Sequence, residues 1–267
     1  MIFSTVFGER GDWLVFVHGL TCDHTDWQKQ VEFFSDRYRC LCVDLRGHGR
    51  SSDLPGPYDP STLGQDVAEV MRARDAQRAV LIGHSMGTRV VVEALHAAPD
   101  RVKGIVFVDG SKQGHGDPQA ARDLILARID SVGFENQMST MFQAMFTERS
   151  DPIERAVIVA RARATPERVG RELMSEMALY DAGKMESAYG RIAVPMLVLQ
   201  STTVNEARER RLLTAADSST PYLDMIKRLV PAAHIELVQE VGHFTQLDAA
   251  QVTNRGITRL AEQAFAA

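Results

Sequence analysis

Residues 80–95 read VLIGHSMGTRVVVEAL. An apolar run, AVLIG (79–83), enters the turn Gly83-His84-Ser85-Met86-Gly87 and leaves it directly as a helical pattern. The pentapeptide has the form G-x-S-x-G. Between a buried strand and a helix, that form predicts a sharp turn that pushes Ser85 into a strained, exposed position. The two glycines let the chain reverse without a clash. Ser85 then stands at a helix N-terminus, where backbone N–H groups can stabilise a developing oxyanion.

Outward from this turn, short apolar runs alternate with longer helical patterns. The strand candidates are WLVFV (13–17), RCLCV (39–43), AVLIG (79–83), GIVFV (104–108), PMLVL (195–199) and IELVQ (235–239). Most are continuously apolar, as in parallel strands buried on both faces. Helical stretches near 25–36, 61–74, 86–98, 220–229 and 248–265 separate them. The alternation predicts an α/β fold with a mostly parallel central sheet flanked by helices.

One segment breaks the rhythm. Residues 112–190 contain no convincing strand and read as helices near 118–131, 135–147, 151–163 and 166–181. They predict a helical cap of 112–190 on a core made of 1–111 and 191–267. Met138, Met141 and Met145 have helical spacing and form either core packing or an adaptable apolar wall over a ligand. Arg155, Arg161, Arg163, Arg168 and Arg171 read as a solvated face.

Bulk properties narrow the function. With 267 residues and 45% hydrophobic content, the chain can bury a sizeable core. A net charge of -5 offers no basic surface for nucleic acid. No run approaches a membrane span, and the start has no secretory pattern. Cys22, Cys40 and Cys42 are odd in number and lack metal-type spacing, so free thiols in a reducing cytoplasm are expected. Cys40 and Cys42, two apart in a strand, should face one side of the sheet.

Two further motifs complement Ser85. VHGL (17–20) ends the first strand candidate. Its glycine lets the backbone approach a ligand, with the Leu20 and Met86 N–H groups as oxyanion donors and His18 as a loop-holding residue. VGHFTQL (241–247) follows the last strand candidate. A serine hydroxyl needs a base, and His243 lies in a late loop on the edge where parallel strands end. His84 adjoins the serine but should point elsewhere.

The motifs VHGL, DLRGHGRSS (44–52), GHSMG and GHF, in this order, resemble the α/β-hydrolase fold superfamily over essentially the whole chain. The resemblance places the helical insertion between the sixth and seventh strands, with abbreviated first strands. It implies a serine, histidine and acid triad, two-step acyl transfer, and no cofactor or metal. A serine at 85 speaks against the branches with an aspartate nucleophile. The implied activity is hydrolysis of a small, mostly apolar ester, thioester or lactone. Carbon–carbon bond hydrolysis, cofactor-free perhydrolase or peroxidase chemistry, and a non-enzymatic small-ligand receptor are the alternatives. A cytoplasmic monomer or homodimer acting on a small molecule, without nucleic-acid or membrane partners, is expected.

The acid is the weak point. The resemblance places it after PMLVL, where this chain has Thr202, Thr203 and Val204. Asp109, at the end of GIVFV, is the favoured substitute, because some members of the fold take the acid from that strand. Glu206, expected to open a helix, and a serine–histidine pair without a direct acid remain open. Asp44 reads as structural.

Overall fold

The computed structural model describes residues 1–205 and 209–266. Strands β1 (Ser4–Phe7), β2 (Trp13–Val17), β3 (Arg39–Val43), β4 (Ala79–His84), β5 (Val102–Val108) and β6 (Met196–Gln200) come first in the chain. A hairpin of β7 (Thr202–Val204) and β8 (Arg210–Leu212) follows, and β9 (His234–Leu237) comes last. Among the described residues one sheet has the order β1-β3-β2-β4-β5-β6-β9, parallel except for β1, which pairs antiparallel with β3. The sequence reading did not foresee β1: STVF is four residues long and half exposed. Glu206 lies outside the described residues. The residues on either side of it, 202–204 and 210–212, pair as the hairpin.

The helices are α1 (Gln28–Phe34), α2 (Pro60–Ala73), α3 (Gly87–Ala97), α4 (Pro118–Val132), α5 (Phe134–Gln143) and α6 (Pro152–Ala164), then α7 (Glu167–Gly183) and α8 (Met185–Tyr189). After them come α9 (Pro221–Leu229), α10 (Thr245–Asp248) and α11 (Ala250–Ala266). Helices α2, α4, α6 and α9 start alike. A side-chain oxygen of Asp59, Asp117, Asp151 or Thr220 accepts a first-turn N–H, and a proline at the next position supplies a helical φ.

Alternate side chains of the central strands feed two cores. Leu14, Phe16, Cys40, Cys42, Val80 and Ile82 pack on one face of the sheet. Val15, Val17, Leu41, Leu81, Ile105 and Phe107 pack on the other. Both faces are dry, which is why the strands read as unbroken apolar runs. Cys40 and Cys42 share a face as expected, and all three cysteines are free and buried.

Helices α4–α8 fill the strandless segment. Counted along this chain they lie between β5 and β6, not between a sixth and seventh strand, because the sheet's opening is abbreviated to β1. Several polar contacts fasten this segment to the sheet and its helices. Arg89 of α3 meets Asp181 of α7 through two bonds of 2.6 and 2.7 Å, both side chains buried. Lys184 bonds Glu93 at 2.8 Å. Arg161 departs from the solvated-face expectation: it turns inward to Asp23 and Asp26, at 2.5 Å each. The carboxylates on the loop after β2 draw it out of solvent.

Candidate active site

Ser85, Asp109 and His243 leave β4, β5 and β9 at the same, carboxyl edge of the sheet. Strands β2 and β4 are neighbours there, although the chain runs from β2 to β3 on the opposite side. Such a change of direction opens a crevice in α/β sheets.

The turn at Ser85 is built by close approach. A Cβ on Gly83 would lie 2.4 Å from the Gly87 carbonyl oxygen, and one on Gly87 would lie 2.5 Å from that of Val17. With both glycines the strand and helix touch, and Ser85 takes φ +54°, a left-handed conformation unusual for a non-glycine residue. The Ser85 N–H donates to Val108 O at 3.0 Å, fixing the turn to the next strand.

From Ser85 a continuous chain of hydrogen bonds runs inward. Its Oγ is 2.8 Å from His243 Nε2, and His243 Nδ1 is 2.5 Å from Asp109 Oδ2. His243 is held from two more sides: its N–H donates to Met145 O at 2.8 Å, and its carbonyl accepts from His84 Nε2 at 3.0 Å. The His84 ring packs against that of His243, with centroids 4.7 Å apart. The proton sits on His243 Nδ1, facing the carboxylate, which leaves Nε2 to accept from the serine.

Three donors reach each oxygen of Asp109. Oδ1 accepts from the Ser201 N–H (2.8 Å), the Thr202 N–H (2.7 Å) and Gln200 Nε2 (3.0 Å). Oδ2 accepts from the Thr202 hydroxyl (2.5 Å), His243 Nδ1 and Arg210 Nη1 (3.2 Å). The group is fully buried, and burial alone would raise its pKa. The hydrogen bond and charge of His243, the Arg210 guanidinium and the Thr202 hydroxyl outweigh burial and keep the carboxyl below its ordinary value. His243 is pushed down to about 4, first by burial and then by the charge of Arg210, against the pull of Asp109. It is therefore neutral near pH 7.

Leu20 and Met86 flank the serine in the same cleft. Among the described residues neither backbone N–H has an acceptor. Two such donors beside a nucleophile are what a tetrahedral oxyanion requires. His18 holds its loop as expected, Nε2 accepting from the Leu45 N–H at 3.0 Å. Asp44 is structural: its carboxylate binds the His24 and Arg50 N–H groups and His24 Nδ1.

The cleft over Ser85 holds about 30 Å³, and a chamber of about 280 Å³ shares part of its lining. Met141, Met145 and Met174 line both. Met138 does not; it is fully buried and belongs to the core. Helix α5 ends at Gln143, so Met145 stands beyond it and the three residues do not share one helical face. The sequence reading missed Arg210, Thr202 and Gln200, whose partners are set only by the fold.

The family model described as the alpha/beta hydrolase family matches residues 14–255. The chain belongs to that family, and it is an enzyme of the hydrolase class. Among curated relatives, 2-(acetamidomethylene)succinate hydrolase of Mesorhizobium japonicum is 25% identical over 256 residues, 93% of this chain and 87% of that protein. A non-heme chloroperoxidase of Streptomyces lividans is 41% identical over 110 residues, only 40% of each chain. The enol-lactonase of Burkholderia xenovorans superposes with a TM-score of 0.77 at 21% identity, covering 98% of this chain and 96% of its own. That likeness carries the fold alone. Among the described residues no helix is long and apolar enough to cross a membrane.

Proposed function

We propose that the protein is a serine hydrolase that cleaves a small, mostly apolar carboxylic ester, thioester or lactone through an acyl-enzyme. The hydrogen-bonded series Ser85–His243–Asp109 beside two unengaged N–H groups carries this reading. Ser85 Oγ attacks the carbonyl carbon as its proton passes to His243 Nε2. The N–H groups of Leu20 and Met86 hold the oxyanion. Collapse expels the alkoxide or thiolate, which takes the proton from His243. Water then attacks the acyl-enzyme, giving its proton to His243 and releasing the acid and Ser85. Asp109 keeps the imidazole in the required tautomer and balances its transient charge.

Residues 112–190 act as the cap and 1–111 with 191–267 as the core. Met141 and Met145 supply part of the apolar wall, and a chamber of about 280 Å³ suits a small acyl group. The three free thiols support a reducing, cytoplasmic setting. The relative named as a hydrolase supports the bond-cleaving class. The chloroperoxidase relative supports perhydrolase chemistry as a second reading, since a peroxide can replace water at the acyl-enzyme.

The test is covalent labelling by a fluorophosphonate with p-nitrophenyl esters of graded chain length and lactones. Rapid labelling lost in Ser85→Ala, with turnover of the shorter esters, is the expected result. Wild-type protein that neither labels nor turns over any ester would overturn the reading. Hydrogen peroxide that diverts product from acid to peracid would favour the second.

A further inference from the structure

Arg210 enters the site from β8 and its side chain is only 10% exposed. One corner of its guanidinium is spent: Nη1 donates to Asp109 Oδ2 and to the Thr202 hydroxyl. The remaining edge is not. Among the described residues Nε and Nη2 have no acceptor. That edge carries parallel N–H donors with the spacing of a carboxylate's two oxygens.

The location gives the edge a purpose. Arg210 lines both the cleft over Ser85 and the chamber behind it, so it stands at the junction of the two. The other charged groups nearby are occupied or remote. Arg89, in the cleft, is paired with Asp181. Glu209, in the chamber, accepts from Asn205 Nδ2 at 3.0 Å. Arg128 lines the chamber but not the cleft. Among the described residues Arg210 is thus the guanidinium at this methionine-lined site whose outer edge has no acceptor, and a desolvated cation with unused donors favours an anion.

We propose that the Nε/Nη2 edge of Arg210 binds a carboxylate carried by the substrate, so that the enzyme selects short carboxylate-bearing esters or lactones over neutral ones. This rests on the serine hydrolase reading for the chemistry, and on the geometry of Arg210 for the selection. Arg210 is a binding residue here. It fixes the acid end of the substrate while the ester carbonyl lies between Ser85 and the N–H groups of Leu20 and Met86.

The decisive measurement is a ratio. Monomethyl succinate and glutarate are compared with methyl butanoate and pentanoate, of similar shape but without charge. Wild-type kcat/KM should favour the half-esters by roughly 10- to 100-fold, the equivalent of a charge-assisted hydrogen bond pair. Arg210→Met should collapse the ratio to about one or below. Arg210→Lys, which keeps the charge and loses the fork, should fall between. Calorimetry with glutarate on the Ser85→Ala protein supplies a readout free of turnover, and adding Arg210→Met should abolish the binding. Half-esters and neutral esters cleaved equally well would overturn the selection and leave the hydrolase reading intact. Glutarate binding that depends on Arg210, with no ester cleaved, would do the reverse. If the methionine variant fails to fold, a lysine variant with the wild-type ratio overturns the proposal.

Discussion

The loops after β4 and β6 leave the same edge of the sheet and use it in opposite ways. The first delivers a side chain. Its backbone is bent into a left-handed conformation at Ser85 so that one hydroxyl stands in the cleft. The second delivers backbone. Ser201 and Thr202 offer their N–H groups to a carboxylate that belongs to the neighbouring strand. A loop that presents a side chain must specify that residue and the glycines around it. One that presents amides leaves its sequence almost unconstrained, since nearly every residue has an N–H.

Four measurements can break or sharpen this contrast. The largest effect is expected at the carboxylate the amides hold. Asp109→Asn should lower kcat by about 10⁴-fold, because an amide no longer enforces the His243 tautomer. Near-normal turnover would remove Asp109 from the chemistry. Next is the turn itself. A methyl at Gly87 meets carbonyl oxygens of the β2 strand end, so Gly87→Ala should cost about 2–4 kcal/mol in urea unfolding and most of the activity. An unchanged midpoint would mean the close approach is not required.

A smaller effect belongs to the amide loop. Thr202→Val keeps the N–H and loses the hydroxyl on Asp109, so kcat should fall roughly tenfold, the value of one hydrogen bond to a charged group. A loss as deep as that of Asp109→Asn would show that the side chain, not the backbone, holds the acid.

The last effect, that of pH on stability, is spread over several buried residues. His18, His48, His84 and His243 are all held below the ordinary histidine value, chiefly by burial. Between about pH 6.5 and the folded-state values the unfolded chain binds more protons than the native one, so stability rises with pH there and falls on acidification. Each histidine contributes about 1.4 kcal/mol per pH unit in that window. Urea midpoints should therefore drop steeply from pH 6.5 toward 4. Asp109, Arg210, His84 and Arg89 set the charge around His243, and the acid limb of kcat/KM should lie near pH 4. A limb near 6.5 would mean that water reaches the imidazole.

What the sequence made legible follows the same division. That Ser85, His243 and Asp109 meet at one edge of the sheet could be read because each follows a strand-like run. The central strands could be read because burial on both faces leaves apolar runs. The β1 edge and the β7–β8 hairpin carry no such pattern: they are short, partly exposed and stabilised by pairing with distant residues. Arg210 was invisible for that reason, since only the hairpin register brings it to Asp109. Thr202 looked like a missing acid because the sequence records a side chain where the fold uses an amide. The methionine stripe did not hold as one helical face because spacing does not say where a helix stops: Met145 lies beyond α5, while Met138 packs in the core.

The bond from the His243 N–H to Met145 O has a consequence for traffic. Phe146 stacks on Phe244 at 4.7 Å, nearly parallel, and the Ser150 hydroxyl binds Asp248 at 2.7 Å. The stretch after α5 is thus riveted to the loop that carries the imidazole. A hinge opening from this end would drag the imidazole off Ser85 and switch the chemistry off. The chamber beside Gln113 and Arg128 is lined by the same stretch, through Ala144 and Met145, so its wall and the imidazole are tied together.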